Sequence, residues 1–543
     1  MHDVLLVDEI VRRIADHLFD SNDKSSSLAF SLCCRSLNHP VLDVLWNSQT
    51  DLVTLFKTLP PDLWEVTDTA GLVSISRRIS TDRRHSPGRG PNPQKFLRSP
   101  TPDEWTRFRV YAQRMTKVYA PQNEYAPSED ILHLVNLYQL RQPLMPRLQL
   151  LNWTTGRTFL PWLHLLLSPS LSDVHIDFNG RRATPVNVAV IKALPTTYLK
   201  RFAFSTLHTN TEVDAALLDL VLKSRLLASI YIQQENNSEG GNPSVNKFDN
   251  KIEDEQGPIE LQDLKSVIVG FNNKSTFLPS LFGRVTLPRA QQIYLQHTDQ
   301  TEWLGPDDLF DSMLRSASPG VLQALRYISH YHGMDITSAR IRPLLRFVAL
   351  RTVRVTSACN MTRCKFFLSD DDVSAIATAM PNLTELHLGG IPCMSTSVDV
   401  SMDSLAILAA NCTKLRDLQI HFDAVGFINR ALDVPNEHIA PPQLTPNSCQ
   451  LTQLNVGTIP LRGSMEGYWV VGMALLQIFP NLKNIKYHQQ PLFGGREWGE
   501  VARIIKVQRN VGKLMSGASD EFTFFFSCLT HNQSDLAGCG LTP

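Results

Sequence analysis

The chain has 543 residues, 43% of them apolar and 19% charged, with 52 basic side chains against 52 acidic ones. This globular composition is too long for one ordinary compact core and suits several domains or an elongated repeat array. Zero net charge excludes a global basic field for nucleic acid or acidic membranes, and the longest apolar runs, such as "FLPWLHLLL" at 159–167, fall far short of a membrane span.

The opening "MHDVLLVDEIVRR" has no basic segment followed by a long apolar core, so no signal peptide is expected. Without export, the nine irregularly spaced cysteines are expected to be reduced, buried thiols, in a protein of the cytoplasm and/or nucleus. Leu6, Ile10, Ile14 and Leu18 recur every fourth residue as the apolar stripe of a helix, while Glu9, Arg12, Arg13 and Asp16 take other faces. "DSNDKSSS" at 20–27 breaks it. Leu28, Leu32 and Cys33 mark a second short helix. A third is expected to carry Pro40 in its first turn, Asn38 or His39 at its start, and Leu42, Leu45 and Trp46 on its apolar face. A unit of about 45 residues rarely stabilises itself by a single core. It is either a helical cap on the next domain or a docking surface for another protein.

"LLVDEIVRRIADHL…LAFSLCCRSLNHPVLDVLW" resembles an F-box, a family whose pattern opens with Leu-Pro-x-Glu-Ile, passes a Cys-Arg step and closes on Leu-Trp. Leu6, Glu9, Ile10, Ile14, Leu18, Leu32, Cys34, Arg35, Leu45 and Trp46 match it in order, over less than a tenth of the chain, and Val7 stands where the family usually has proline. The resemblance implies that the Skp-type adaptor of a cullin–RING ubiquitin ligase covers the surplus apolar surface. The docking residues would be Leu6, Ile10, Ile14, Leu18, Leu32, Leu45 and Trp46.

In "LVTLFKTLPPDLWEV", 52–66, Leu52, Leu55, Phe56 and Leu59 fall at helical spacing and are expected to continue from the third helix. "SRRISTDRRHSPGRGPNPQKFLRSP", 76–100, is rich in Arg, Pro, Gly and Ser and is expected to be a mobile loop. A nuclear-import or nucleic-acid patch, and phosphorylation of Ser80 within "RRIS", are the competing readings. In "SPTPDEWTRFRVYAQRMTKVY", 99–119, Trp105, Phe108, Val110 or Tyr111, and Met115 predict an amphipathic helix running into a first strand near Met115–Tyr119. With "LPPDLW" before it, this block is similar to a group of fungal F-box-like proteins of the mushroom lineage, which implies a fungal source.

From about residue 115 one pattern recurs, with apolar residues at i, i+3 and i+5. It is clear in Leu383/Leu386/Leu388, Leu415/Leu418/Ile420, Leu451/Leu454/Val456 and Leu482/Ile485/Tyr487. Earlier copies include Leu148/Leu151/Trp153, Leu171/Val174/Ile176, Leu199/Phe202/Phe204, Leu264/Val267/Val269 and Leu350/Val353/Val355. Leu227/Ile230/Ile232 and Ala290/Ile293/Leu295 are further members, and the register near Leu322–Ile328 is ambiguous. Successive starts lie from 23 (Leu148 to Leu171) to 37 residues apart (Leu227 to Leu264), room for a strand, a helix and their loops. Helices are expected at 370–380, 401–412 and 470–479, the first two opened by Asp370–Asp372 and Ser401. Each unit buries its apolar side against its neighbours. The array resembles the leucine-rich-repeat family in an irregular form, mostly lacking its Asn or Cys ladder. The expected fold class is α/β: a small all-α three-helix F-box-like domain at 1–50, a connecting helix and loop at 51–114, and a leucine-rich-repeat solenoid at 115–543, with parallel strands on the concave face and helices on the convex face. An α/β domain of parallel strands is the alternative, lowered by the lack of a glycine-rich phosphate loop after any strand. Insertions are read at 233–258 and 421–449, a last helix at 497–511, and "EFTFFFSCL", 521–529, as a cap on the final repeat.

No Walker loop, Gly-x-Ser-x-Gly, His-Glu-x-x-His or Cys-x-x-Cys is present, and Cys359, Cys364 and Cys393 lack the partners of a zinc site. No catalytic, metal-binding or cofactor-binding residue is expected. His175, His387, His421 and His488 fall at intervening or trailing strand positions. Asp173, His175, Asp177, Glu385, His387, Asp417, Gln419, His421, Asn484 and Lys486 are expected to sample a target protein along a long concave arc, a spread that suits recognition better than catalysis. The resulting expectation is a non-enzymatic substrate-recognition adaptor of an SCF-type ubiquitin ligase, with a Skp-type adaptor and an unknown target protein as partners and no nucleic acid or membrane. The alternatives are a leucine-rich-repeat interaction scaffold and an enzyme or enzyme activator, for which no arginine stands out.

Overall fold

The structure, a computed structural model, describes residues 7–20, 24–50, 52–66, 93–98, 100–120, 143–154, 160–178, 184–206, 210–234, 258–272, 275–298, 308–330, 336–357, 366–389, 399–433, 449–457, 459, 461, 463–487 and 495–516. The chain divides into two units, Met1–Leu322 and Gln323–Pro543.

Unit 1 opens with three helices: α1 (Asp8–Asp20), α2 (Lys24–Leu32) and α3 (Arg35–Asn47). Their core is small. Val11, Ala15, Leu37, Val41 and Val44 are buried together, edged by Phe19, Phe30, Cys34 and Leu45. The third helix begins five residues before Pro40, which lies inside it, and Cys34 is its extended N-cap. Proline has no N–H to give the preceding turn. The helix forms across it because Leu37, Val41 and Val44 reach the core together only if the turns are continuous.

Helix α3 does not extend into 52–66. It runs directly into the two-residue strand β1 (Ser48–Gln49), and a short helix at Val53–Phe56 follows after a turn. Leu52, Leu55, Phe56 and Leu59 are all buried. Phe56 meets Phe108 of α4 (Pro102–Ala112) with ring centroids 5.3 Å apart. A capping box starts α4: the Thr101 hydroxyl accepts from the Glu104 N–H, and the Glu104 carboxylate accepts from the Thr101 N–H. Trp64–Val66 pairs antiparallel with Pro93–Phe96, and Arg98 bridges Asp62 (2.8 Å) and Glu104 (2.7 Å). The end of the Arg/Pro-rich stretch is therefore built into the domain. Residues 67–92, with Ser80, lie outside the described residues.

From β1 a parallel sheet grows in strict chain order through β2 (Lys117–Ala120), β3 (Leu150–Thr154), β4 (Asp173–Asp177), β5 (Arg201–Thr206), β6 (Ser229–Gln234), β7 (Ser266–Phe271) and β8 (Gln292–His297). Gln233 and Gln234 belong to β6, so the insertion read from 233 starts later; 235–257 lie outside the described residues. Helices α5 (Pro185–Ala193), α6 (Thr211–Lys223), α7 (Phe277–Arg284) and α8 (Asp308–Ser316) occupy the intervals.

Unit 2 repeats the plan with β9 (Ala324–Ser329), β10 (Thr352–Ser357), β11 (Glu385–Leu388), β12 (Asp417–Gln419), β13 (Gln453–Gly457) and β14 (Asn484–Tyr487), again parallel and in chain order. Its longer helices are α9 (Asp370–Ala379), α10 (Met402–Asn411), α11 (Ala424–Asp433), α12 (Met465–Ile478) and α13 (Gly495–Ser516). Leu325 and Tyr327 face inward on β9, which fixes the ambiguous register.

The triplets have a common geometry. The first residue turns inward just before the strand, its N–H donating to the carbonyl three residues back, as Leu171 does to Ser168 (3.1 Å) and Leu415 to Cys412 (3.0 Å). The other two alternate inward along the strand, and Leu148, Leu151, Leu386 and Leu418 are among the fully buried. One carbonyl of each repeat accepts two successive N–H groups of the next. Ser172 O receives Lys200 and Arg201; Thr384 O receives Arg416 and Asp417. This is a leucine-rich-repeat fold.

Carboxylates on the helical side join the repeats. Buried Asp214 of α6 accepts from the Thr276 N–H (2.6 Å) and Phe277 N–H (3.2 Å) at the start of α7, and from Gln234 Nε2 (3.1 Å). Asp370 of α9 accepts from the N–H of Ser401, the N-cap of α10, at 2.7 Å. Asp372 accepts from the Ser338 hydroxyl (2.5 Å) and the Ser369 N–H (3.1 Å).

The connection at 421–449 contains a helix, α11, where only a loop was expected. Buried Ile428 seats α11 against α12 at Gly467, where a Cβ would lie 2.8 Å from Ile428 Cγ2. Helix α12 starts at Met465, ahead of the expected 470, because the Ser464 hydroxyl accepts from the Gly467 N–H (3.4 Å). Trp498 of α13 is fully buried and donates to Ile459 O (2.8 Å). The "EFTFFFSCL" segment lies outside the described residues.

Candidate functional site

Three surfaces carry the residues singled out from the sequence. On the N-terminal helices, α1 turns Val11 and Ala15 into the core, so the neighbouring stripe of Ile10, Ile14 and Leu18 is left at or beyond its edge. Ile14 is exposed, with Val7 and Leu28, and Leu32 is 71% exposed. Ile10 and Leu18 are half-buried, and Leu6 lies outside the described residues. Leu45 packs at the core's edge, and the Trp46 ring sits 4.7 Å from that of Tyr111 on α4. The same side of α3 is tied down by polar contacts. Arg114 pairs with Asp43 and donates to His39 O (3.0 Å), while Arg12 reaches Asp43 at 2.7 Å. Thus α3 is anchored to the rest of unit 1, whereas α1 and α2 present the exposed apolar side chains.

The second surface is the open face of the unit 1 sheet. Asp173, His175 and Asp177 alternate outward on β4, half-buried. Asp173 is ion-paired with Arg201 on β5 and accepts from the Ser172 hydroxyl (2.7 Å). His175 lies opposite Asn152 and Ala203; Asp177 lies opposite Thr154 and Ser205.

The third is the open face of unit 2, where register gathers six of the expected residues. Thr352, Glu385, Asp417, Gln453 and Asn484 form one row, and Arg354, His387, Gln419, Asn455 and Lys486 the next. Glu385 is ion-paired with Arg354 and lies 3.7 Å from Arg326. His387 Nε2 approaches Asp417 Oδ1 to 3.0 Å, and Gln453 Nε2 donates to Asp417 Oδ2 (2.9 Å). Burial opposes the Asp417 charge, but His387, Gln453 and the Lys486 charge outweigh it and hold its pKa below the ordinary aspartate value. Gln419 is buried, donating to Gly389 O (2.8 Å) and accepting from Asn455 (3.0 Å). Gly389 itself has φ +100°, a conformation that favours glycine.

His421 is not on this face. It is 3% exposed, and its ring stacks on Phe366 at 5.3 Å, because the residue after the third inward position turns back under the strand end. His488 and Cys359, Cys364 and Cys393 lie outside the described residues. Among the described residues no three His, Cys, Asp or Glu side chains gather as a metal site, and no helix is long and apolar enough to cross a membrane. Cys412 and Cys449 are buried free thiols that donate to carbonyls of the preceding repeat; burial pushes the Cys412 pKa up to about 12.

Sequence reasoning missed Arg326, Arg354, Gln453 and Asn455, which complete the unit 2 rows, and Tyr119, Tyr231 and Tyr294 in unit 1. All occupy intervening positions of the same triplets, so reading every such position would have found them.

No protein-family model and no curated protein matches the sequence. Among solved structures, the chain is similar to the leucine-rich-repeat-containing protein LegL7 from Legionella pneumophila, at 10% identity and TM-score 0.26 over 68% of this chain and 94% of that one. It is also similar to an internalin (inlF) from Listeria monocytogenes, at 12% identity and TM-score 0.33 over 82% and 96%. A third likeness is to the Rad7 and Elc1 complex of yeast, at 14% identity and TM-score 0.25 over 60% and 78%. The leucine-rich-repeat assignment rests on the chain's own triplets and register.

Proposed function

We propose that this protein is the substrate-recognition adaptor of an SCF-type cullin–RING ubiquitin ligase. Helices α1–α3 would be an F-box that docks the Skp-type adaptor, and the repeat array would hold a target protein. It has no catalytic residue of its own in this role and acts by raising the target's effective concentration near the ubiquitin-charged enzyme. Its place is the cytoplasm and/or nucleus, and the fungal, mushroom-lineage group is the source of the resemblance. One observation carries the reading: a five-residue core leaves Ile14, Leu28 and Leu32 exposed on α1 and α2, while α3 ties the helices to the rest of unit 1. Such side chains are the apolar anchors from which a helix-to-helix interface draws most of its affinity.

A scaffold without a ligase role is the second reading. It is favoured by the direct passage of α3 into β1 and by the contact of Trp46 with Tyr111, both of which make the helices an N-terminal cap. The discriminating measurement is binding of the purified chain to a purified Skp-type adaptor. Ile14→Glu with Leu32→Glu should weaken it at least a hundredfold, about 2.7 kcal/mol, without lowering the melting temperature. No binding by the unaltered chain, or equal binding by the double variant, leaves the scaffold reading in place.

A further inference from the structure

The open face of unit 1 carries a pattern that the fold does not require. At the middle open position β2, β4, β6 and β8 each carry a ring: Tyr119, His175, Tyr231 and Tyr294. The strands between carry Asn152, Ala203 and Ile268 there. Register sets all of them in one row across the sheet. Neighbouring strands lie about 4.8 Å apart, so successive rings stand about 9.6 Å apart with a non-aromatic side chain in each gap. Tyr119 and Tyr231 are exposed and the other two half-buried.

A polyproline II helix makes one turn in three residues, about 9.3 Å. We propose that this row binds a proline-rich segment of a partner protein, laid across the strands as a polyproline II helix with one turn per ring. Rings offer flat apolar faces to the pyrrolidines, and a segment already in its bound conformation loses little entropy on binding.

The charge pattern fits the same occupant. From β5 to β8 the open positions carry one charge, Arg201, and Asp173 on β4 is paired with it. The rest are serine, glutamine, tyrosine, alanine, isoleucine and glycine. A polyproline II segment is uncharged and has carbonyls with no partner within the helix, which call for donors. Ser229, Ser266, Gln233 and Gln292 supply hydroxyl and amide donors in the flanking rows. The Tyr294 hydroxyl donates to Gln296 Oε1 (3.2 Å), tying the last ring to that polar flank. In unit 2 the corresponding row is Arg326, Arg354, His387, Gln419, Asn455 and Lys486, charged and with a single ring.

The inference rests on reading the array as a protein-recognition surface, and not on the docking of α1–α3. Fluorescein-labelled decaproline titrated with the full chain should show saturable anisotropy, at least tenfold tighter than a labelled Gly-Ser decapeptide. Tyr231→Ala and Tyr294→Ala should each weaken it about fivefold or more, and Ala203→Arg, which fills a gap without touching the core, about tenfold. Arg354→Ala in unit 2 should leave it unchanged. Equal affinity for the two peptides overturns the proposal, as does decaproline binding that survives Tyr231→Ala, Tyr294→Ala and Ala203→Arg. Skp-type adaptor binding measured on the same preparation separates the two readings: decaproline can fail while the adaptor binds, and the reverse.

Discussion

The open faces of the two units stand on the same frame and differ in kind. Both have inward triplets, parallel strands in chain order and one carbonyl accepting two N–H groups of the next repeat. Unit 1 carries rings across its middle open row and, from β5 to β8, neutral side chains apart from Arg201. Unit 2 fills them with polar and charged groups that meet across the strands, Arg354 with Glu385 and His387 with Asp417. The fold constrains the inward positions through packing and leaves the outward ones to recognition. A difference between two faces on one frame is therefore a difference in what each can hold. The helical sides differ too. Unit 1 relies on a fully buried carboxylate, Asp214, whereas Asp370 and Asp372 of unit 2 sit nearer solvent.

The largest test of that contrast is to remove the buried carboxylate. Asp214→Ala removes the carboxylate acceptor of the Thr276 N–H and of the Gln234 amide, and leaves the Phe277 N–H with only the Ser275 hydroxyl at 3.3 Å. Buried, unpaired donors of this kind cost about 3 kcal/mol. Hydrogen exchange should show protection of α7 falling about a hundredfold. Asp372→Ala, whose partners can turn to water, should lower protection in α9 by about tenfold. Equal losses would erase the distinction between the two helical sides.

These carboxylate links show where the sequence stops being legible. The triplets were readable because burial demands apolar residues at i, i+3 and i+5, and Leu383/Leu386/Leu388 satisfies that within eight residues. Helices α9 and α10 were readable from Asp370–Asp372 and Ser401 for the same local reason. Asp214 was not, because its partner lies 62 residues away at Thr276 and nothing near either residue points to the other. Pro40 misled for a related reason. Local chemistry places it in a first turn, and the packing of Leu37, Val41 and Val44, which depends on α1, overrides that preference. Apart from His421, which turns under the strand end, the expected target-binding residues were legible as open-face strand positions, but not their pairing. His387 and Asp417 come from different repeats, and only register brings them to 3.0 Å.

Acid should move the two helical sides in opposite directions. Burial raises the Asp214 pKa despite its hydrogen bonds. Its contribution to stability is therefore fully present below the unfolded value, about 3.9, and is lost as pH rises through the folded value. Burial works the same way on Asp370, Asp372 and Asp417, but hydrogen bonds and nearby cations outweigh it and leave their pKa values lowered. Their contribution is present above about 3.9 and is lost as pH falls through the lower folded values. Between pH 5 and pH 3, protection factors corrected for intrinsic exchange should fall in α9 and α10 and hold or rise in α7. Asp214→Asn should remove the α7 trend and leave the other two. A parallel fall in all three helices would show that net charge, rather than these particular carboxylates, sets the response.

The smallest effect separates the open faces themselves. Glu385 carries the charges of Arg354 and Arg326, is largely screened from water, and lies 3.9 Å from His387. Replacing it with glutamine leaves two guanidinium groups facing each other across adjacent strands with no anion between them. That should cost about 1–2 kcal/mol. Asp173→Asn breaks an ion pair too, but its partner Arg201 is exposed and regains water, so about 0.5 kcal/mol or less is expected. Urea midpoints read at tight strand amides of β10–β11 and of β4–β5 would measure both. If Asp173→Asn proved as costly as Glu385→Gln, the unit 1 face would depend on the Asp173–Arg201 pair as unit 2 depends on its ladder. The low charge from β5 to β8 would then be a product of pairing instead of composition, and the case for an uncharged ligand there would weaken.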